Sequence, residues 1–535
     1  MSSNGDPAIF RVLVADAISD EGIEKLRGTP GIDVTVKTGM DPDELKRTIG
    51  DYEALIVRSA TKVTADVLAQ PGRLRAIGRA GTGVDNIDLP AATQAGVVVM
   101  NTPGGNSVAA AELTMAHLTS LARNVPQANS ELRQGRWERK KYLGVELAGK
   151  VLGLVGMGRI GREVARRAQG FRMEVIGYDP YVDGKAAENL GVRFTPLADL
   201  IAQADFISLH VPLNDSTRHV IDGAAIERMK PGAAVINCAR GGLIDEKALL
   251  DAVRSGHLSG AAMDVFESEP PSDLGLVEHP KIIATPHLGA STREAQVRVG
   301  TEIAEKICVY LKSGTILDAV NFPSIGREDF AVLGPIMDLA ERLGSFLAQV
   351  VEGGFRRFGV QTQGSFGEQS LKPIVMAATK GLLEPVLHGA VSYVNALSRA
   401  AQRDITVDEG RSTSASAYSG LLRLTLETEQ GSTTVAGTLM VPDRPRLVEV
   451  DGVSVEAHPD GRMLFCRNLD RPGVVGQLGT ILGRAEINIA GIQLGRPQGD
   501  DRAVSIIKVD GPLPPGVLDE IRSIEQILLA RAVSI

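Results

Sequence analysis

The chain reads as an α/β protein of several domains, with a doubly wound parallel sheet at its centre and α+β segments after it. Three observations predict this class. Short apolar runs alternate with helical stretches through the first half of the chain, the pattern of strands joined by crossover helices. After Asn321-Phe322-Pro323 that alternation gives way to mixed helical and strand segments, and from Met463 a small strand–helix–strand pattern begins afresh. A length of 535 residues suggests about three or four domains.

In the first hundred residues, strands are expected at 11–15, 54–57 (ending in Arg58-Ser59-Ala60-Thr61), 76–78 (leading into Arg79) and 97–100. Gly81-Thr82-Gly83 follows an apolar run, but no third glycine or helical pattern follows it, so it reads as a turn. Gly104-Gly105-Asn106-Ser107 opens a long apolar helix to Arg123, with Ser107 the expected N-cap. Further strands are expected at 206–210, 233–237, 260–265 and 281–285, the last running into Pro286-His287, with a helix from Asp245. The segment from Met463 gives βαββα, a ferredoxin-like module.

The most informative run is VLGLVGMGRIGREVARRAQGFRMEVIGYD, from Val151 to Asp179. A strand enters Gly156-Met157-Gly158-Arg159-Ile160-Gly161, a helix follows, and a second strand ends in an acid. Gly156 allows the tight turn, Gly158 lets a pyrophosphate approach the backbone, and Gly161 lets the helix pack closely. Unpaired N–H groups at the helix start face the phosphates. Asp179 can accept from ribose hydroxyls and would repel a 2′-phosphate, which favours NAD over NADP. Glycine is common here, 59 residues in all, so the hexamer counts only because strand, helix, second strand and acid agree.

Bulk composition narrows the partners. The apolar fraction of 43% supports packed cores, and 4% aromatics leaves them to Ala, Val, Leu and Ile. A net charge of −8 and a pI near 5.7 argue against nucleic-acid or anionic-membrane binding. No apolar run approaches the roughly 20 residues that span a bilayer, and MSSNGDPAIF lacks a secretory pattern. Cys238, Cys308 and Cys466 are scattered, which fits a reducing cytoplasm and offers no zinc spacing. No metal is expected.

Ligands of doubly wound sheets bind beyond the carboxyl ends of the strands, which directs attention to Arg240 and His287. His287 suits a base that carries a proton both ways. Glu269 could orient that imidazole, and the planar fork of Arg240 suits a substrate carboxylate. Taken singly, each has a plainer reading: a satisfied polar histidine, a solvated loop acid and a structural salt-bridge partner. Their common placement downstream of a dinucleotide motif favours chemistry. Among the other histidines, His117 reads as core and His210, at a strand end, as an outside candidate. His219, His257, His279, His388 and His458 read as surface or loop positions.

NCARGGLIDEKALLDAV, AAMDVFESEPP and TPHLGAST resemble signatures of the D-isomer-specific 2-hydroxyacid dehydrogenases. Within that family, RSATKV, RAGTGVDNID, NTPGGNSVAAAEL and RWERKKYLGVEL resemble its long phosphoglycerate-oxidising branch. LKPIVMAATKGLL with VSYVNA resembles that branch's intervening domain, and LDRPGVVGQLGTILGRAEINIAGIQLGR resembles an ACT regulatory domain. The resemblance implies a discontinuous, flavodoxin-like substrate domain (1–103 with 290–325) that closes over a Rossmann-type NAD domain (104–289). An α+β intervening domain (326–457) and a ferredoxin-like ACT domain (460–535) would follow. It implies NAD-dependent oxidation of D-3-phosphoglycerate to 3-phosphohydroxypyruvate, with Arg240, Glu269 and His287 catalytic. Gly156, Gly158, Arg159, Ile160 and Gly161 would surround the pyrophosphate and Asp179 the ribose. Asp264 would meet the nicotinamide amide, and Thr82, Pro212, Cys238, Ala239, Arg240, His287 and Gly289 would line the cofactor. Cys238 also reads as a small buried hydrophobe.

Asn106 would hold the substrate, and Arg58 and Arg79 its phosphate, unless one of these arginines only caps a loop. Asp470 and Asn488 would bind L-serine between paired ACT copies. The position before Asp470 matched to the family is Asn468, where relatives can carry an aromatic residue, and a dimerisation module without an effector is the competing reading. A homo-oligomer, dimer or tetramer, is expected, with 137–141 either reaching a neighbouring subunit or forming an exposed charged loop. Two other functions compete: reduction of another 2-oxo acid such as hydroxypyruvate or glyoxylate, and a non-catalytic NAD-sensing interaction protein.

Overall fold

A computed structural model describes residues 9–182, 190–272, 274–323, 325, 327–387, 391–413, 417–440, 443–497 and 501–535; His388 lies outside them. The first sheet contains β1 (Phe10–Val14), β2 (Ile32–Val36), β3 (Ala54–Val57), β4 (Ala76–Arg79) and β5 (Val98–Met100), all parallel, in the order β2-β1-β3-β4-β5. Strands β3, β4 and β5 are buried on both faces almost throughout, whereas β2, at the edge, is part exposed. Leu13, Leu55, Val57 and Ile77 face Leu45, Ile49 and Val63. Val12, Val14 and Ile56 face a helix from far downstream, Arg293–Ser313, through Ile303 and Ile307.

The second sheet is built from β6 (Val151–Val155), β7 (Glu174–Tyr178), β8 (Arg193–Phe194), β9 (Phe206–Leu209), β10 (Ala234–Asn237), β11 (Gly260–Met263) and β12 (Ile282–Ala284). It is parallel, in the order β12-β11-β10-β9-β6-β7-β8. The direction of winding reverses between β6 and β9, and the crevice outside their carboxyl ends is where such sheets take ligands. The long apolar helix Ser107–Arg123 packs on this sheet through Met115 and Leu118. Its N-cap is Asn106 rather than Ser107, and Asn106 makes no capping bond because its side chain is used elsewhere.

A mixed six-stranded sheet follows: β13 (Phe355–Gly364), β14 (Thr406–Ser412), β15 (Gly420–Thr428), β16 (Gly431–Met440), β17 (Arg444–Val450) and β18 (Val453–Ala457), in the order β14-β13-β15-β16-β17-β18. Helices Arg327–Val350 and Leu371–Leu383 cover it, pressed together until their backbones touch. A Cβ on Gly381 would overlap the Glu341 carbonyl, and one on Gly344 the Ala378 carbonyl. The last sheet is antiparallel: β19 (Arg462–Leu469), β20 (Ile489–Gly495), β21 (Arg502–Val509) and β22 (Ile527–Ser534), in the order β20-β21-β19-β22. The module is therefore βαββαβ, one strand more than the sequence reading. It docks on the helix Arg327–Val350, where Phe346 meets Phe465 edge-on with centroids 5.6 Å apart. Gln349 bonds both the N–H and the carbonyl of Ser534 at 3.0 Å.

Gly381→Ala should destabilise the protein. Alanine gains up to about 1 kcal/mol in helix propensity, but relieving the backbone overlap costs about 1–3 kcal/mol. Urea unfolding measures the balance, and an unchanged or raised midpoint would contradict the packing described.

Candidate active site

The cleft between the first two sheets is built from their carboxyl ends. Leaving β6, Gly156 turns at φ 100°, where a Cβ would lie 2.5 Å from the His210 carbonyl oxygen. A Cβ on Gly161 would overlap the Gly156 carbonyl, whereas one on Gly158 would meet nothing within 4 Å. Gly158 is the N-cap of Arg159–Gly170 and brings no side-chain cap. The first-turn N–H groups of this helix, those of Arg159, Ile160 and Gly161, lack intrahelical partners and face that open space. Asp179, just past β7, accepts from the N–H of Met157 at 2.8 Å and of Tyr181 at 2.9 Å. Those bonds aim its carboxylate at the turn and leave lone pairs for hydroxyl donors. These residues fit a dinucleotide: an open glycine cradle, an uncapped helix start and a ribose acceptor.

On the opposite side Asp264, just past β11, is wholly buried. Its carboxylate accepts from Thr285 Oγ1 at 2.6 Å, Leu288 N at 2.7 Å and Gly289 N at 2.8 Å. Thr285 also meets His117 Nε2 at 3.1 Å, so His117 is a satisfied core residue. The observed work of Asp264 is thus to shape the turn 285–289, and an amide contact could use only what those three donors leave. That turn holds His287 at φ 54° with its N–H on the Asp264 carbonyl at 2.9 Å. His287 Nδ1 lies 2.8 Å from Glu269 Oε2, while Glu269 Oε1 accepts from Phe266 N at 3.2 Å. Burial pushes the Glu269 carboxyl up, but the His287 hydrogen bond and charge, the Phe266 N–H and the charge of Arg240 together hold it below the usual range. With Nδ1–H given to a carboxylate, Nε2 is the free acceptor.

The third feature is a cluster of guanidiniums. Arg79, at the end of β4, is half-buried, and its Nε is buried and unpartnered. Burial, and then the charges of Arg240 and Arg58, bring its pKa down to about 10. Arg79 lies over Gly81, where a Cβ would overlap its Nη1. Arg240, beyond β10, donates from Nη1 to the Ala239 carbonyl at 2.7 Å, and its Nε forms an ion pair with Asp85 Oδ2 at 2.9 Å. Its Nη2 lies over Gly83, where a Cβ would again overlap it. The Gly81-Thr82-Gly83 turn is therefore a seat for two guanidiniums, a use no glycine spacing announces. Arg58 donates from Nη1 to the Ala17 carbonyl at 3.2 Å, and its backbone N–H goes to Asp16 Oδ2 at 2.6 Å. Asn106 Oδ1 accepts from Thr82 Oγ1 at 2.7 Å, which places both beside the cluster.

The remaining residues expected beside the cofactor follow the strand ends of the second sheet. Arg159 reaches across to the Pro103 carbonyl. The Pro212 carbonyl accepts from Thr217 Oγ1 at 2.6 Å, and Ala239 N donates to Asn237 Oδ1 at 3.0 Å. Burial pushes the Cys238 thiol up to about 12, with nearby Asp264 adding to it against a Thr114 hydrogen bond, so it serves as a small hydrophobe rather than a nucleophile. His210 is removed from the chemistry: burial lowers its pKa to about 4, and its Nε2 lies 3.0 Å from Ser208 Oγ. Sequence reasoning named Asp264 but missed the Asp264–Thr285–His117 hydrogen-bond chain around it, and it missed Asp85.

Asp470 and Asn488 are not brought together within one chain. Leu469 pairs with Arg502 and Ile489 with Val509, so the two residues flank opposite ends of β21, about 23 Å apart at ~3.3 Å per residue. Asp470 pairs with Arg496 at 3.2 Å and Asn488 Nδ2 with Asp510 at 2.6 Å. Asn468 points inward, buried, and accepts from Ser505 Oγ at 2.9 Å, so it is a core residue of the sheet.

Comparisons with known proteins give the family. Residues 115–289 match the D-isomer specific 2-hydroxyacid dehydrogenase NAD binding domain, 332–451 the D-3-phosphoglycerate dehydrogenase intervening domain, and 462–526 the ACT domain. The chain is 42% identical to a D-3-phosphoglycerate dehydrogenase of Methanocaldococcus jannaschii, over 97% of this chain and 98% of that one. It is 38% identical to that of Bacillus subtilis, over 98% and 100%. Among solved structures, TT0316 protein from Thermus thermophilus superposes with a TM-score of 0.54 at 35% identity, covering 58% of this chain and 99% of that one. A glyoxylate reductase from Paecilomyes thermophila gives 0.53 at 31%, covering 59% and 98%. The chain belongs to the D-3-phosphoglycerate dehydrogenase family of D-isomer specific 2-hydroxyacid dehydrogenases.

Proposed function

We propose that Arg240, Glu269 and His287 carry out NAD-dependent oxidation of D-3-phosphoglycerate to 3-phosphohydroxypyruvate in this cleft. The observation that carries the reading is the placement of one oriented imidazole beside three converging guanidiniums and an open glycine turn. The substrate, with a carboxylate and a phosphate ester, needs more than one cation. Arg240 takes the carboxylate and polarises the adjacent C2–oxygen bond. Arg58 and Arg79 take the phosphate, and Asn106 and Thr82 bound the substrate on the same side. His287 Nε2 accepts the C2 hydroxyl proton, and Glu269 stabilises the imidazolium that forms. Bound NAD supplies the two-electron acceptor for the hydrogen leaving C2. Gly156, Gly158, Arg159, Ile160 and Gly161 hold its pyrophosphate, Asp179 its ribose, and Asp264, Pro212, Cys238, Ala239 and Gly289 shape the floor beneath it. We assign the first sheet with Arg293–Ser313 as the substrate-binding unit that closes over the nucleotide unit, excluding water from the cleft. The mixed sheet and the last sheet then form the intervening and regulatory units.

L-serine, the amino acid this product leads to, is the effector we assign to the ACT unit. The order β20-β21-β19-β22 leaves β20 at an edge with Ile492 and Leu494 exposed. Two copies joined antiparallel along β20 would set Asp470 of one beside the partner's Asn488, a site that a single chain cannot make. The reading therefore takes the enzyme as a homo-oligomer. Among the described residues no helix is long and apolar enough to cross a membrane, and three free cysteines suit a reaction placed in the cytoplasm.

His287→Gln should lower kcat by about 10³-fold or more while NADH binding, read by fluorescence, stays within about twofold; retained turnover would remove His287 as the base. Arg79→Gln should cost kcat/KM on 3-phosphoglycerate about 100-fold, and on an unphosphorylated 2-hydroxy acid less than about 5-fold. Equal losses would place Arg79 away from the phosphate and favour a simpler 2-oxo acid substrate. Mixed oligomers of Asp470→Ala and Asn488→Ala chains should regain part of the serine inhibition that each variant lacks alone. No regain would contradict a site shared between copies.

A further inference from the structure

Asp85 has no part in the chemistry assigned above, yet it is bound into the cation cluster. It stands on the loop after β4, and its Oδ2 meets Nε of Arg240, on the loop after β10, at 2.9 Å. The pair therefore joins loops from two different sheets across the cleft. The Asp85 side chain is 69% exposed and that of Arg240 29%, and a pair this open adds little stability. Its value must lie in orientation.

The surroundings support that. Of the further carboxylates near the cluster, Glu269 is engaged with His287, and Asp16 accepts the backbone N–H of Arg58 at 2.6 Å, the N–H of Thr61 at 3.1 Å and the Thr61 hydroxyl at 2.7 Å, so it is committed to shaping a loop. Arg240 lies close enough to Arg79 for their like charges to interact, and its side chain is 29% exposed. Unheld, so long a side chain would swing outward. One ion pair and one hydrogen bond hold it: Nε against Asp85 Oδ2 and Nη1 on the Ala239 carbonyl. The same placement seats Nη2 over Gly83, where a Cβ would lie 2.8 Å from Asp85 Oδ2 and would overlap Arg240 itself. The absence of a side chain at residue 83 lets the acid and the guanidinium meet.

We propose that Asp85 is a positioning residue for the reaction, holding the Arg240 guanidinium in the plane that receives the substrate carboxylate. This rests on the assignment of Arg240 to that carboxylate. A purely electrostatic role gives the opposite sign. If Asp85 acted only as a negative charge near a polyanionic substrate, removing it would lower KM, by about threefold for each unit of substrate charge ~6 Å away in water. Loss of positioning raises KM instead, because a grip made in both ground and transition states is weakened.

The test uses the full-length enzyme at saturating NAD, with kcat and KM for 3-phosphoglycerate in wild type, Asp85→Asn, Asp85→Glu and Arg240→Lys, and NADH affinity by fluorescence. Asp85→Asn should raise KM about tenfold with kcat within about threefold and NADH affinity unchanged. Asp85→Glu, keeping the charge, should recover most of the KM. A KM for Asp85→Asn at or below twice the wild-type value overturns the proposal. So does a parallel loss of NADH affinity, or a Glu variant no better than Asn. Arg240→Lys separates the two layers. Wild-type turnover there would sink the assignment of Arg240 itself. Lost turnover there, beside an unaltered Asp85→Asn, would sink the role of Asp85 alone.

Discussion

The hydrogen bond between His287 Nδ1 and Glu269, 2.8 Å long, is the interaction on which the active site depends, and a buried carboxylate holds it in place. Asp264 gathers the Thr285 hydroxyl and the N–H groups of Leu288 and Gly289, while its own backbone carbonyl takes the N–H of His287. A left-handed histidine is costly to hold without such support. The turn fixes the imidazole, the imidazole fixes which nitrogen faces the cleft, and the proton path follows. With Nδ1–H bound to Glu269, one ring nitrogen remains to accept from a substrate hydroxyl.

Charge is managed by division of labour. Three guanidiniums converge in the cleft, where the proposed function puts a doubly anionic phosphate and a carboxylate, and their side chains are held in different ways. Arg58 is tied to the Ala17 carbonyl, Arg79 is folded over Gly81 and Arg240 is pinned by Asp85 and Ala239. The buried, unpartnered Nε of Arg79 is the sort of orphan that a folded protein keeps where a ligand will satisfy it. The histidine and thiol that crowd the floor are kept out of the reaction by burial: His210 is held neutral and Cys238 protonated.

How much of this the chain announces follows from where its information is local. Strands buried on both faces show as unbroken apolar runs, so the parallel sheets and the dinucleotide turn were legible from Val151–Asp179 and from the runs ending at Arg79, Arg240 and His287. The last strand was not: Ile527, Ala530 and Val533 are its buried positions, a spacing of three that imitates a helix, beside a register shift opposite Arg467 and Asn468. Asp85 was invisible because its partner lies on another sheet, and the glycines of RAGTG looked like turn residues because a guanidinium seat leaves no trace in spacing. Asp470 and Asn488 could be named by resemblance, but only the strand register reveals that one chain holds them at opposite ends of a sheet.

The most direct measurement is the protonation of the His287 ring, read from ¹⁵N chemical shifts in the ligand-free enzyme and in Glu269→Gln. A proton on Nδ1 and a bare Nε2 in the unsubstituted enzyme, with that preference lost in the variant, is the predicted result. A proton on Nε2 facing the cleft, or a ring state indifferent to Glu269, would contradict the account.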